Sequence, residues 1–241
     1  MIRDWGLKLW RCDYAEGDPT ASQFDAARSA MIETQIVRRG VRDTRVLNAM
    51  RAVPRHAFVP TEFRAQAYED APLPIGAGQT ISQPYMVAAM TAALQLTEND
   101  RVLEVGAGCG YQAAVLSKLG REVVTLEYRA ELAAATAKRL AEMGYDHVHV
   151  HCGDGTLGLP EIAPFDAILV AAGAPSVPAP LLAQLAEGGR MVIPVGNLEN
   201  QELQLIECKE RSRGIFHTTV LDGCRFVPLV GAHGWKDLPL R

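Results

Sequence analysis

The segment from Val102 to Gly110 constrains the fold of this chain more than any other. Its sequence, Val-Leu-Glu-Val-Gly-Ala-Gly-Cys-Gly, is an apolar run that changes abruptly into three alternating glycines. Such a run predicts a buried strand, and the glycines allow a tight turn into a following helix. A strand, a glycine loop and a helix in succession are typical of α/β folds that bind a cofactor at the carboxyl end of the strand.

The spacing of these glycines indicates the class of cofactor. Gly106, Gly108 and Gly110 form a G-x-G-x-G pattern, whereas loops that surround a dinucleotide pyrophosphate usually carry G-x-G-x-x-G. Glu127 ends the next apolar run, where a carboxylate can accept hydrogen bonds from both hydroxyls of a ribose. The pattern favours S-adenosylmethionine over NAD. Taken alone, the loop would also fit a plain tight turn, and Glu127 would fit an exposed strand end.

Apolar runs alternate with segments of helical composition from residue 100 onwards. This alternation predicts a Rossmann-like, doubly wound α/β sheet that is mostly parallel and covered on both faces. The predicted strands are 101–105, 122–127, 148–152, 167–171 and 191–195, and the predicted helices are 111–119, 129–143 and 179–187. Three later runs have no helices between them and predict antiparallel edge strands near the C-terminus, at 203–208, 218–221 and 225–229.

Helices are predicted before this core. One spans Phe24 to Gly40, and a second is capped by Asp43 and ends near Pro54. Residues 72–84 are so rich in Gly and Pro that we expect an irregular, partly buried loop, followed by a helix with Pro84 in its first position. The chain therefore divides into an extension at 1–23, N-terminal helices with the loop at 24–96, and a cofactor-binding core at 97–241.

Two further carboxylates are candidates for the same end of the sheet. Asp154 and Gly155 follow the third predicted strand of the core, where the carboxylate can accept a hydrogen bond from an adenine amino group. In isolation, an Asp-Gly pair would be a turn. Glu104 lies within the buried run, where an ionised side chain requires a partner. That partner is either the ammonium of a bound methionine moiety or a basic side chain from a neighbouring element.

Composition and charge exclude several classes of function. The 241 residues carry a formal net charge of −4, which leaves no electrostatic footprint for nucleic acid. No apolar run approaches the about 18 residues that cross a bilayer, and the amino end lacks the pattern of a secretion signal. The five cysteines are scattered and form no C-x-x-C pair. We therefore expect a cytoplasmic protein with reduced thiols and no membrane partner.

Three histidines alternate along the third predicted strand of the core. His147, His149 and His151 project from one face, where two histidines can share a metal. No further ligand of a suitable kind is evident in the sequence, so we expect that this strand lies at an edge of the sheet and that no metal is bound.

A resemblance to a known family adds to this interpretation. The chain resembles protein-L-isoaspartate O-methyltransferases over roughly residues 31 to 230. The glycine loop is shared with many methyltransferases and identifies only the cofactor class. The segment Gln79-Thr-Ile-Ser82-Gln-Pro is the specific part of the resemblance. The other matching segments are 52–60, 67–70, 72–86, 153–155, 164–168, 188–196 and 225–229.

This resemblance implies an activity and an acceptor. The family transfers a methyl group from S-adenosyl-L-methionine to the free carboxylate of L-isoaspartyl residues in aged proteins and peptides, leaving S-adenosyl-L-homocysteine. The methyl ester then forms a succinimide, which returns partly to aspartate. The implied partners are isoaspartyl proteins and peptides. The sequence carries no clear association motif, so we expect a monomer. Two rivals stay open: a methyltransferase for small molecules, and a non-catalytic module that binds S-adenosylmethionine and holds client proteins.

The resemblance also implies site residues upstream and downstream of the glycine loop. Ser82 matches the position of the family's active site, although a serine before a helix would equally well be a cap. We expect the acceptor to contact the neighbours of Ser82 and to be enclosed by a segment near the C-terminus. These predicted substrate-binding residues are Thr80, Ile81, Gln83, Phe226, Val227 and Pro228.

Overall fold

The computed structural model describes residues 20–236, which contain nine strands and six α-helices. The strands are β1 (Leu73–Gly76), β2 (Gln79–Ile81), β3 (Arg101–Val105), β4 (Glu122–Glu127), β5 (Val148–Cys152), β6 (Phe165–Val170), β7 (Leu185–Gly196), β8 (Gln201–Glu210) and β9 (Ile215–Cys224). The α-helices are α1 (Ala21–Met31), α2 (Thr44–Ala52), α3 (Pro84–Leu94), α4 (Tyr111–Leu116), α5 (Ala130–Glu142) and α6 (Ala179–Ala183).

Seven strands form one sheet in the order β5-β4-β3-β6-β7-β8-β9. The first five of these are parallel, and β8 and β9 continue the sheet as antiparallel strands. The predicted fold class is confirmed, including the antiparallel strands at one edge and the position of β5 at the other. The strand order reverses direction at β3, and in open α/β sheets ligands bind at the carboxyl ends of the strands beside such a point.

The apolar residues divide into two clusters, one on each face of the sheet. The larger cluster joins α2, α3 and α4 to β3, with Phe58, Met90 and Leu116 among its buried members. The smaller cluster packs on the other face around Phe165 and Leu181. Within residues 20–236, no helix is both long and apolar enough to cross a membrane.

The first helix begins earlier than its apolar pattern indicates. Thr20 accepts a hydrogen bond from the backbone of Gln23, and the Gln23 side chain accepts one from the backbone of Thr20, so a capping box starts α1 at Ala21. The helix continues as a π-helix over Ile32–Val37, and Gly40 adopts a φ of +98° shortly after its end. Of the predicted extension at 1–23, residues 1–19 lie outside the described part of the chain.

The predicted starts of α2 and α3 are confirmed. The Asp43 side chain accepts a hydrogen bond from the Arg45 backbone at 2.9 Å and caps α2. Pro84 occupies the first turn of α3, where its missing N–H costs no helical hydrogen bond.

The prediction that residues 72–84 are irregular is wrong, because β1 and β2 form an antiparallel hairpin there. Leu73, Ile75 and Ile81 are buried, so the apolar residues alternate as in a half-buried ribbon. The turn at residues 76–78 has positive φ at all three positions; Gly76 and Gly78 adopt such angles readily, and Ala77 between them has a φ of +52°. Glycine and proline therefore mark the turn and the ends of the hairpin and do not abolish it.

The prediction of a strand at 225–229 is also wrong. That segment makes only an isolated bridge between Pro228 and Gly173, beyond the end of β6. Proline has no N–H to offer a ladder, so continued pairing is disfavoured there. The predicted helix at 179–187 is shorter, because α6 ends at Ala183 and Leu185 already starts β7.

Candidate active site

A cavity of about 400 Å³ opens at the carboxyl ends of β3 and β4. Its volume is in the range of sites that bind cofactor-sized ligands. The hairpin β1–β2, the glycine loop, the end of β4 and the C-terminal segment all contribute to its wall. The predicted site residues that line it are Thr80, Ile81, Ser82, Gly106, Gly108, Glu127, Gly155, Val227 and Pro228. The predicted site residues outside its lining are Gln83, Glu104, Gly110, Asp154 and Phe226.

The glycine loop adopts a backbone that other residues rarely adopt, and α5 holds it from behind. The φ angles of Gly106, Gly108 and Gly110 are +96°, +53° and +89°. The Thr136 hydroxyl donates to the Gly108 carbonyl at 2.5 Å, and the Arg139 guanidinium donates to the Cys109 carbonyl at 2.8 Å. Because these carbonyls are engaged on the α5 side, the loop has a defined backbone orientation at the cavity wall.

Glu127 is tied to the same loop. One carboxylate oxygen, Oε2, accepts a hydrogen bond from the Gly108 N–H at 3.0 Å, and the other, Oε1, accepts one from the Arg129 N–H at 3.1 Å. The side chain is buried but lines the cavity. A carboxylate has about four acceptor positions, so both oxygens retain capacity for hydroxyl groups of a ligand.

Glu104 is fully buried on β3 and has one protein partner among the described residues. The Thr125 hydroxyl on β4 donates to its Oε2 atom, whereas Oε1 is buried without a hydrogen bond. Burial raises the pKa of Glu104 to about 8, against the lowering effect of the Thr125 hydrogen bond. The partner in the protein is thus a hydroxyl and not the basic side chain that was one of the two predicted alternatives. An unpaired buried acceptor fits a ligand ammonium, reached directly or through water.

Asp154 already has several donors within the protein. Its Oδ1 accepts hydrogen bonds from the Thr156 N–H at 2.9 Å and the Thr156 hydroxyl at 2.6 Å, and its Oδ2 accepts one from the Ala232 N–H at 2.7 Å. Burial acts to raise the pKa of Asp154, but these hydrogen bonds outweigh it and lower the pKa below its usual value. The carboxylate therefore anchors the C-terminal segment beside Gly155, and its contact with adenine stays a prediction.

Ser82 reaches the cavity from the start of α3. Gln83 occupies the cap position of this helix and makes no side-chain cap bond, so Ser82 is not the helix cap that its sequence context allows. The Ser82 side chain is half-buried at the cavity wall. It is therefore placed for contact with a ligand and near the amino end of an 11-residue helix.

The C-terminal segment forms part of the cavity wall through residues 227–230. The Gly173 N–H donates to the Val227 carbonyl and the Leu229 N–H donates to the Gly173 carbonyl, both at 2.8 Å, which fixes Val227 and Pro228 at the wall. Phe226 is placed differently: its N–H donates to Gln201 Oε1 at 2.8 Å, and its ring packs against the larger apolar cluster.

Two of the three alternating histidines contact protein oxygen atoms. His147 Nε2 lies 2.9 Å from the Ser117 carbonyl, and His149 Nε2 lies 3.7 Å from a Glu122 carboxylate oxygen. Over residues 20–236, no group of three or more His, Cys, Asp or Glu side chains is arranged to hold a metal.

Several residues of the cavity wall were missed in the sequence. Tyr111 and Gln112 follow the third glycine in the first turn of α4, and Tyr128 and Arg129 follow Glu127. Their signal was adjacency to a predicted site residue, because the first residues after a strand end share its edge of the sheet.

Comparison with known proteins identifies the family. The family profile described as Protein-L-isoaspartate(D-aspartate) O-methyltransferase matches residues 26–234. The chain belongs to this family. A protein-L-isoaspartate O-methyltransferase of Roseiflexus castenholzii is 56% identical over 212 residues, which cover 88% of this chain and 95% of that one.

Solved structures of the family share the fold. A protein-L-isoaspartate O-methyltransferase matches with a TM-score of 0.76 and 31% identity, covering 86% of this chain and 67% of that one. A second match is described as such an enzyme from Plasmodium falciparum in complex with S-adenosyl-L-homocysteine, with a TM-score of 0.72 and 26% identity over 85% of this chain and 98% of that one. The predicted enzyme class and cofactor are confirmed at the level of the family.

Proposed function

We propose that this chain methylates the free carboxylate of L-isoaspartyl residues through Ser82 and its loop on one side of the cavity and the glycine loop with Glu127 on the other. The observation that carries the proposal is that a single cavity brings these two sets of residues together. A small-molecule methyltransferase has no reason to carry the Ser82 loop, and a merely cofactor-binding module has no reason to place that loop beside the glycine loop.

The acceptor explains why no catalytic base is needed. An isoaspartyl carboxylate has a pKa of about 3.5 to 4 and is already ionised at neutral pH. When bound, S-adenosylmethionine supplies a methyl group on a positively charged sulfur. Opposite charges disappear as the methyl moves, so bulk water would stabilise the reactants more than the transition state. Val87, Val105 and Leu229 contribute apolar surface to the wall and so help to exclude water.

Ser82 is the residue that we assign to orienting the acceptor. Its hydroxyl, with the free N–H groups at the start of α3, holds one carboxylate oxygen so that the other points at the donor. Orientation of this kind contributes about 7–11 kcal/mol to a two-reactant step. We further assign the backbone at Thr80, Ile81, Val227 and Pro228 to the flanking residues of the peptide, while Gln83 and Phe226 support this wall from outside the cavity.

The donor side is assigned to residues on the strand ends. The glycine loop and Glu127 hold the nucleoside and its ribose hydroxyls, and Gly155 leaves room for the base beside Asp154. An alanine Cβ at Gly155 would lie 2.4 Å from Val105 Cγ1, so only glycine fits against β3 at this point of the cavity wall. Glu104 supplies the negative charge for the methionine ammonium.

The test compares two peptides that differ in one linkage. An isoaspartyl peptide and its normal-aspartyl twin are incubated with the full chain and methyl-labelled S-adenosylmethionine. We expect labelling of the isoaspartyl peptide alone. Equal labelling of both peptides, or no labelling of either, would refute the proposed acceptor, and labelling of a small molecule in their place would establish the rival activity.

We also propose that the enzyme acts in the cytoplasm as a monomer, without nucleic acid. The net charge of −4 disfavours binding to a polyanion, and scattered cysteines suit a reducing compartment. Sedimentation of the purified chain, with and without DNA or RNA, tests the assembly state and the absence of nucleic-acid binding.

A further inference from the structure

Two helices follow the two loops of the proposed site, α3 after the Ser82 loop and α4 after the glycine loop. The α3 helix begins two residues after Ser82, and the α4 helix begins directly after the glycine loop. Both helices contribute to the cavity wall in their first turns, α3 through Val87 and α4 through Tyr111 and Gln112. The distance between acceptor and donor therefore depends on how these two helices are held against each other.

A chain of two hydrogen bonds joins them. Gln112 Nε2 donates to Thr91 Oγ1 at 2.9 Å, and Thr91 Oγ1 donates to the Val87 carbonyl at 2.7 Å. The single hydroxyl proton of Thr91 is used on a carbonyl that only accepts, so Oγ1 must act as acceptor toward Gln112. This requirement orients the Gln112 amide with its nitrogen toward α3.

The hydrogen bond between Gln112 and Thr91 is partly buried between the two helices. Thr91 is almost fully buried on the inner face of α3, and the hydrogen bond that it receives spans directly to α4. Among the hydrogen bonds of residues 20–236, it is the one that connects side chains of these two helices. The buried apolar residues of both helices belong to the larger apolar cluster, and apolar packing tolerates small sliding motions better than a directional hydrogen bond does.

We infer that Gln112 and Thr91 are positioning residues, which set the separation between the glycine loop and Ser82 through this hydrogen bond. The inference rests on the proposed function. Methyl transfer requires the reacting atoms in line at about 3–3.5 Å, and a misplacement of about 1 Å can cost about 100-fold in rate. Neither residue needs to touch the reacting atoms for this effect, because each acts on the loop that its helix carries.

The test is a double-mutant cycle measured in turnover. Gln112→Leu and Thr91→Val each remove the hydrogen bond with little change of volume, and we expect each to lower kcat for the isoaspartyl peptide by about tenfold. Their combination is expected to be no worse than either alone, because both remove the same bond. The conservative variant Thr91→Ser keeps the acceptor oxygen and is expected to restore most of kcat. Affinity for S-adenosylhomocysteine, measured by calorimetry, is expected to change by less than about threefold.

A control on the same helix separates positioning from stability. Ser117→Ala removes a buried hydroxyl that donates to the Ala114 carbonyl at the end of α4, remote from the cavity, and is expected to lower the melting temperature without lowering kcat. Losses of kcat that multiply in the double variant, or that accompany equal losses of cofactor affinity, would overturn the inference. Unchanged kcat in Gln112→Leu would overturn it as well. Failure of the wild-type chain to distinguish the two peptides would instead refute the proposed function.

Discussion

Replacing Glu104 by glutamine should abolish a proton release that accompanies cofactor binding. Burial raises the pKa of Glu104 to about 8, so at pH 7 most of the molecules carry a protonated carboxyl group. An ammonium beside Oε1 favours the ionised form, and binding then expels the proton. We expect the release of up to about one proton per S-adenosylhomocysteine bound at pH 7, and an affinity that rises by up to about tenfold per pH unit between pH 6 and pH 8.

The same pKa predicts how stability depends on pH. Because the folded-state pKa lies above the usual value of 4.5, the stability contributed by Glu104 is fully present below pH 4.5 and is lost as the pH rises to about 8. The gap between the two values corresponds to about 5 kcal/mol at most, at about 1.4 kcal/mol for each pKa unit. Glu104→Gln, which cannot ionise, should flatten this decline.

The assay is titration calorimetry in two buffers of different ionisation enthalpy, since the difference in apparent heat counts the protons released. Urea unfolding at pH 5, 6.5 and 8 without cofactor measures how the free energy of unfolding depends on pH. The exposed carboxylate of Glu202 on β8 offers a matched control in Glu202→Gln. Equal proton release by wild type and Glu104→Gln would refute the reasoning, because another group would then titrate on binding.

Three other substitutions probe separate parts of the site. Ser82→Ala should lower kcat by about 100-fold while leaving cofactor affinity nearly intact, in peptide assays at saturating cofactor. Glu127→Ala should weaken S-adenosylhomocysteine binding by about 1.5–3 kcal/mol, and an inactive variant with unchanged affinity would contradict its assignment. Gly155→Ala should cost about 1–3 kcal/mol of stability in urea unfolding, because its Cβ would approach Val105 Cγ1 to 2.4 Å. Gly223→Ala, with no atom within 4 Å of the added Cβ, is the control, and equal losses in both would count against the steric explanation.

The parts of the fold that the sequence predicted correctly depend on local chemistry. The run at residues 101–105 is β3 in the structure. A short apolar segment between a polar residue and a glycine is typical of a buried strand. Asp43 and Pro84 mark the starts of α2 and α3, since capping and proline restrictions act within one helical turn.

The errors arose where distant parts of the chain decide the conformation. The hairpin β1–β2 forms because Leu73, Ile75 and Ile81 are buried in the larger apolar cluster, a gain that their glycine- and proline-rich context does not reveal. Val227 and Pro228 look like a strand, but their backbone meets Gly173 beyond the sheet and pairs only there. The residue pattern of one segment can suit a strand, but it does not show whether a neighbouring strand is available to pair with it.

For the site, the sequence by itself determined the chemical types and their edge of the sheet. The spacing of the glycines and the strand-end Glu127 indicate the cofactor class, and the Ser82 loop carries the resemblance to the family, because each of these patterns is a short segment of the chain. Only the tertiary structure decided that Glu104 is buried with one oxygen unpaired, that Asp154 accepts a hydrogen bond from the Ala232 N–H, and that Gln112 bonds to Thr91. These facts depend on contacts between segments that are distant in sequence, and hydrogen bonds of that kind are specified by packing geometry and not by local pattern.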